Sequence, residues 1–172
     1  MSSTWTVPAE ATLPDRHPRA PKLGEEIHAH WRGCFGCRPK AEGGMGTKII
    51  LEEGLGVTGV FDVTEEFEGG PGVIHGGVLS AAFDEAMGSI SSHLNTPVVT
   101  AHLEIDYARP ILLGSRLEIR ARIAGMVGRK LYTTAEAYVD GSGLVVATSR
   151  ALFLTIDPEE HFKDTAALSS RL

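Results

Sequence analysis

The chain has 172 residues, with 42% hydrophobic and 22% charged residues and a formal net charge of −6. Those values fit a single globular domain, and no stretch approaches the roughly 18 to 20 apolar residues that a membrane span needs. The acidic balance argues against a general nucleic-acid binder, which needs a basic face to displace counterions from phosphates. The first residues carry no basic patch followed by an apolar block, and Cys34 and Cys37 are too few for a secreted disulfide framework, so a soluble cytoplasmic protein is expected.

In chain order, residues 1–22 carry Pro8, Pro14, Pro18 and Pro21 among polar residues and read as a loose, extended or disordered arm. Leu23, Ile27 and Trp31 recur every fourth residue, which predicts a short helix over 23–32, followed by a glycine-rich loop over 33–46. Runs at 47–53 and 57–63, separated by Gly54 and Gly56, predict a hairpin. From Gly76 to His93 the apolar residues cover nearly the whole helical circumference, as expected of a helix running through a core. After Pro97 the pattern changes to period two. Alternation through Leu103, Ile105 and Tyr107, through 116–123, and through 131–139 and 144–156 predicts antiparallel strands with one apolar face. Two strands, one buried helix and four strands define an α+β domain over 23–164, in which a curved sheet wraps one helix, followed by a tail over 165–172.

The chemistry is concentrated between Gly70 and Gly88. Asp84 lies in the apolar helix among Ala82, Phe83 and Met87, and a buried charge without a partner costs several kcal/mol, so something must compensate for it. Glu85 points about 100° away and is expected to be the solvated member of the pair. At the helix start, Gly76 and Gly77 offer backbone amides with no side chain in the way, an arrangement suited to a developing oxyanion or simply to a tight turn. His75 either orients a ligand or caps the helix. Nine residues separate His75 from Asp84, a rise of about 13 Å and half a turn out of phase, so the two features cannot meet within one chain. If they serve one site, a second copy must complete it, which predicts an obligate dimer about a twofold axis with two composite sites.

His75-Gly76-Gly77, Asp84 and the stretch Thr100-Ala101-His102-Leu103-Glu104-Ile105-Asp106-Tyr107-Ala108-Arg109-Pro110 resemble the PaaI-like and THEM-like hotdog acyl-CoA thioesterases, over about residues 34–156. The resemblance implies a hotdog fold, a homodimer or a pair of dimers, acyl-CoA as the small-molecule substrate and no cofactor. Carried over by position, Asp84 is the general base or nucleophile, and the amide of Gly76 from the other subunit polarises the thioester carbonyl. His75 and Gly77 line the site, and Thr100 helps to place the water. Strand parity puts Thr100 with the polar residues, so only a bulge would aim it inward. The family's Cys-x-x-Cys-Gly-Pro appears as Cys34-Phe35-Gly36-Cys37-Arg38-Pro39, and Gly69 stands where some relatives have Asn.

Between Arg109 and Lys130 six cations face a single acid, Glu118. Arg109, Arg129 and Lys130 are the candidates for CoA phosphates, whereas Arg116, Arg120 and Arg122 match the outer face of a strand. A hotdog dehydratase and a non-catalytic acyl-CoA-binding domain are the competing readings. The dehydratase is disfavoured because such enzymes place a His before the Pro, where this chain has Glu65-Glu66-Phe67-Glu68. His28, His30, Cys34 and Cys37 offer four potential ligands, but not at a standard finger spacing, so no metal is expected.

Overall fold

A computed structural model describes residues 5–27, 31–139 and 142–163. Its strands are β1 (Glu26–Ile27), β2 (Lys48–Glu52), β3 (Gly56–Asp62), β4 (Glu68–Gly70), β5 (Val73–Ile74), β6 (Val98–Tyr107), β7 (Arg116–Val127), β8 (Lys130–Val139) and β9 (Val145–Thr155). The main helix is α1 (Gly76–Ser89), and a short α2 (Pro158–Phe162) follows the last strand. The large sheet is antiparallel, in the order β1-β2-β3-β7-β8-β9-β6, and β4 and β5 form a separate ribbon. The sheet wraps α1, which contacts β3, β6, β7, β8 and β9, so the domain has the hotdog fold.

Packing, rather than intrinsic propensity, holds α1. Gly76, Gly77 and Gly88 each cost at most about 1 kcal/mol relative to alanine. Burying Leu79, Phe83 and Met87, all at most 2% exposed, contributes about 1.5–3 kcal/mol each and outweighs that cost. The helix passes into a 3₁₀ turn, Ile90–Leu94, which ends at Asn95 in the left-handed region (φ 50°). Within that turn the buried His93 donates through Nε2 to the carbonyl of Gly56 at 2.7 Å, tying the helix end to the start of β3.

The N-terminal segment differs from the loose arm expected of it. Trp5 stacks edge-on against Tyr132, Thr12 and Met126 exchange backbone hydrogen bonds, and Val7 and Ala11 cover Gly125. The prolines keep this segment extended, and its few apolar side chains lay it across the sheet. The helix expected over 23–32 is also corrected, because Glu26–Ile27 pairs with Ile49 and Ile50 as an edge strand. The local spacing of four is overridden by an open sheet edge that offers the backbone its hydrogen bonds. His28 and His30, the Gly141 turn and the 165–172 tail lie outside the described residues. No helix among the described residues is long and apolar enough to cross a membrane.

Candidate active site

The ribbon β4–β5 delivers the chain to the helix start. Gly70-Pro71-Gly72-Val73 makes the turn, with Gly72 at φ 74° and its amide donating to Oε1 of Glu68 at 2.7 Å. The amide of His75 then donates to Phe67 O at 2.7 Å. Gly69 is pressed against this junction: a Cβ there would lie 2.5 Å from Cα of His75, so any side chain at this position would force the backbone to shift.

His75 is the N-cap of α1, and its Nδ1 accepts the amide of Gly77 at 2.9 Å. The histidine therefore caps the helix, and the amide of Gly77 is occupied by that cap. The amide of Gly76 makes no hydrogen bond among the described residues, and the residue is exposed. The carbonyl on its C-terminal side is held: Ser80 Oγ donates to Gly76 O at 2.9 Å, Tyr107 OH reaches the same carbonyl at 3.1 Å, and the two hydroxyls are 2.7 Å apart. Sequence reasoning missed Ser80 and Tyr107. A serine one helical turn after Gly76 was the available signal for the first, whereas nothing local marks a tyrosine on a distant strand.

Eight residues along the helix, Asp84 accepts a hydrogen bond on Oδ1 from Thr100 Oγ1 at 2.6 Å. Parity alone would turn Thr100 away, but Thr100 lies opposite Phe153 and His102 opposite Leu152, so Ala101 is left over as a bulge. Thr100 therefore shares a face with Leu103, which lies opposite Ala151. Asp84 is half-buried and, with Thr100, lines a cavity of about 610 Å³ whose apolar wall includes Ile27, Ile49, Val98 and Phe153.

Glu85 was expected in solvent and is instead buried, 9% exposed. Its carboxylate accepts from Cys34 Sγ and from Ser89 Oγ, each at 3.3 Å. The loop carrying Cys34 and Cys37 covers that side of α1, which the helical pattern could not reveal. Both cysteines line the same cavity.

The candidate phosphate-binding cations fall at opposite ends of the sheet. Arg129 bonds Thr155 O through Nε at 2.9 Å, and Lys130 lies opposite Leu154, itself opposite Val99, so both belong to the Thr100 end of β6. Arg109 follows the other end of β6, where Tyr107 covers Gly76. Arg116, Arg120 and Arg122 are exposed on the outer face of β7, Arg116 against Asp62 and Arg120 against Glu118.

A long helix wrapped by an antiparallel sheet, with Asp84 and Glu85 both reaching a cavity beside it, defines a hotdog-fold protein. Residues 71–146 match the family model described as the thioesterase superfamily. The acyl-coenzyme A thioesterase THEM4 of Xenopus laevis is 32% identical over 91 residues, covering 53% of this chain and 41% of that protein, so the chain spans less than half of this relative's length. Among solved structures, the Escherichia coli PaaI protein from the phenylacetic acid degradation operon superposes with a TM-score of 0.63 at 21% identity, covering 69% of this chain and 86% of that one. A variant of PaaI from Thermus thermophilus superposes with a TM-score of 0.58 at 25% identity, covering 65% and 95%. Over residues 71–146 this chain is therefore similar to the thioesterase superfamily, and its fold is that of the PaaI structures.

Proposed function

We propose that the chain hydrolyses acyl-CoA thioesters to free acid and CoA, acting as a homodimer with two composite sites. The observation that carries this reading is the Thr100 to Asp84 hydrogen bond at the wall of a cavity of mixed polar and apolar lining. A hydroxyl donating to Oδ1 holds the carboxylate in one orientation and leaves its other oxygen for water. Asp84 takes a proton from that water as its oxygen attacks the thioester carbonyl carbon. The oxygen of the tetrahedral intermediate becomes negative and accepts the Gly76 amide of a second copy. The C–S bond then breaks, CoA leaves as thiolate and takes up the proton held by Asp84, which regenerates the carboxylate as the acid departs.

Distance supports a second copy in this reading, since Gly76 and Asp84 are about 12 Å apart along one helix. Among the described residues the sheet ends on β6, whose outer edge carries unpaired backbone groups, a natural place for an identical strand to add antiparallel. Such pairing, centred between Thr100 and Tyr107, brings Asp84 of one protomer to the Gly76 end of the other. It also joins the cations that one chain keeps apart, with Arg129 and Lys130 of one protomer meeting Arg109 of the other around the CoA phosphates. The relative named as an acyl-CoA thioesterase supports the substrate class.

The test is thiol release from a panel of short, long and aromatic acyl-CoAs, with molecular mass measured by sedimentation in the same buffer. Hydrolysis by a dimer or a pair of dimers is expected. Tight acyl-CoA binding with no thiol release would replace this reading with that of a binding protein, and an active monomer would remove the composite site.

A further inference from the structure

We propose that Cys34, Cys37 and Glu85 form a binding site for a thiophilic divalent cation, zinc above all. One ligand atom from each residue can be chosen so that the three lie within 4.8 Å of one another. Two sulfurs and a carboxylate oxygen make a donor set that zinc takes, at about 2.3 Å for sulfur and 2.0–2.2 Å for oxygen, so a tetrahedral site has ligand-to-ligand edges of about 3.5 to 3.8 Å. The Cys34 Sγ to Glu85 Oε2 separation is already 3.3 Å. The widest of the three separations has to close from at most 4.8 Å to those edges.

The surroundings are shaped for this convergence. Glu85 is buried on α1 beside Ala86 and Met87, and a cation between it and the thiolates would balance its charge. The Cys-x-x-Cys spacing lets both thiols approach from one turn of loop, and Gly36 between them has no side chain because the carboxylate fills that space: a Cβ there would lie 2.2 Å from Oε2 of Glu85. The ligand set is therefore not the one suggested by the local cluster of histidines and cysteines, since helix α1 contributes a carboxylate from 48 residues beyond Cys37. A fourth position is left for water or another donor. The ion staples the 33–46 loop to α1 at the residue after Asp84, along the wall of the same cavity. This site does not depend on the thioesterase reading.

The test uses the whole untagged chain, purified without chelator, with zinc measured by elemental mass spectrometry. The expected result is one zinc per chain, with both thiols unreactive towards a thiol reagent until a chelator is added. Cobalt exchanged into the same protein should show thiolate-to-cobalt charge-transfer absorption, which needs no variant. Cys34→Ser combined with Cys37→Ser should abolish binding, and Glu85→Gln should weaken it tenfold or more while keeping the thiolate band. Four results would overturn the site: substoichiometric metal after zinc titration with freely reactive thiols, a Cys34–Cys37 disulfide by mass, a cobalt spectrum lacking the thiolate band, or full metal retention in the double serine variant. All of these readouts concern metal or thiols, so loss of hydrolysis alone neither supports nor damages the proposal.

Discussion

Thr100 donates to Asp84 across 2.6 Å because Ala101 is looped out of the ladder between β6 and β9. Without that extra residue the hydroxyl would face the other side of the sheet. Thr100→Val keeps the shape and removes the donor. A hydrogen bond to a charged group contributes about 1.5–3 kcal/mol, so kcat is expected to fall about 10- to 100-fold if the bond holds the base in the transition state. Asp84→Asn removes the base and should lower turnover by on the order of 10²-fold or more. Steady-state thiol release and an unchanged circular dichroism spectrum check both. Full activity in Asp84→Asn would end the catalytic assignment.

Gly76→Pro deletes one amide and little else. Proline is well tolerated at the first helical position, and His75 before it already has φ −69° and ψ 129°, the region that a residue preceding proline favours. Loss of an oxyanion donor is expected to cost on the order of 10²-fold in kcat with thermal stability nearly unchanged. A normal kcat in this variant would place the donor elsewhere.

Mixing Gly76→Pro with Asp84→Asn separates a composite site from a site within one chain. Random exchange of subunits in a twofold dimer leaves half of the dimers mixed, each with one site assembled from two intact contributions. Activity is therefore expected to recover to about a quarter of the wild-type value. No recovery, with exchange verified by native mass spectrometry, would mean that each chain builds its own site.

His75 contributes to stability through the cap, independently of chemistry. His75→Ala leaves the Gly77 amide unsatisfied and should cost about 1 kcal/mol, or about 2–4 °C in Tm for a chain of this size, whereas His75→Asn restores a capping oxygen and most of the loss. Equal melting of the two variants would refute the capping role.

Gly36→Ala tests how tightly the cysteine loop sits on α1. A methyl there meets the Glu85 carboxylate and its Cβ, so a loss of about 1–3 kcal/mol is expected from overpacking, measured by denaturant midpoint. Wild-type stability would show that the loop has slack.

Hydrophobic period was enough to place α1 and the long strands, because helix and strand set their buried faces by simple repeats of 3.6 and 2. The isolated acid in that helix was equally legible, since an ionised group among Ala82, Phe83 and Met87 stands out wherever the chain folds. What the pattern could not carry was anything decided by a second segment arriving from far along the chain. Glu85 is buried because the cysteine loop lies on it, and Glu26–Ile27 is a strand because β2 offers it an edge. Thr100 faces Asp84 because β9 accepts one residue fewer than β6 supplies, and Tyr107 reaches Gly76 because β6 passes the helix start. Local propensity differs by fractions of a kcal/mol, whereas each of these contacts satisfies or buries a polar group worth more, so tertiary pairing prevailed wherever the two disagreed.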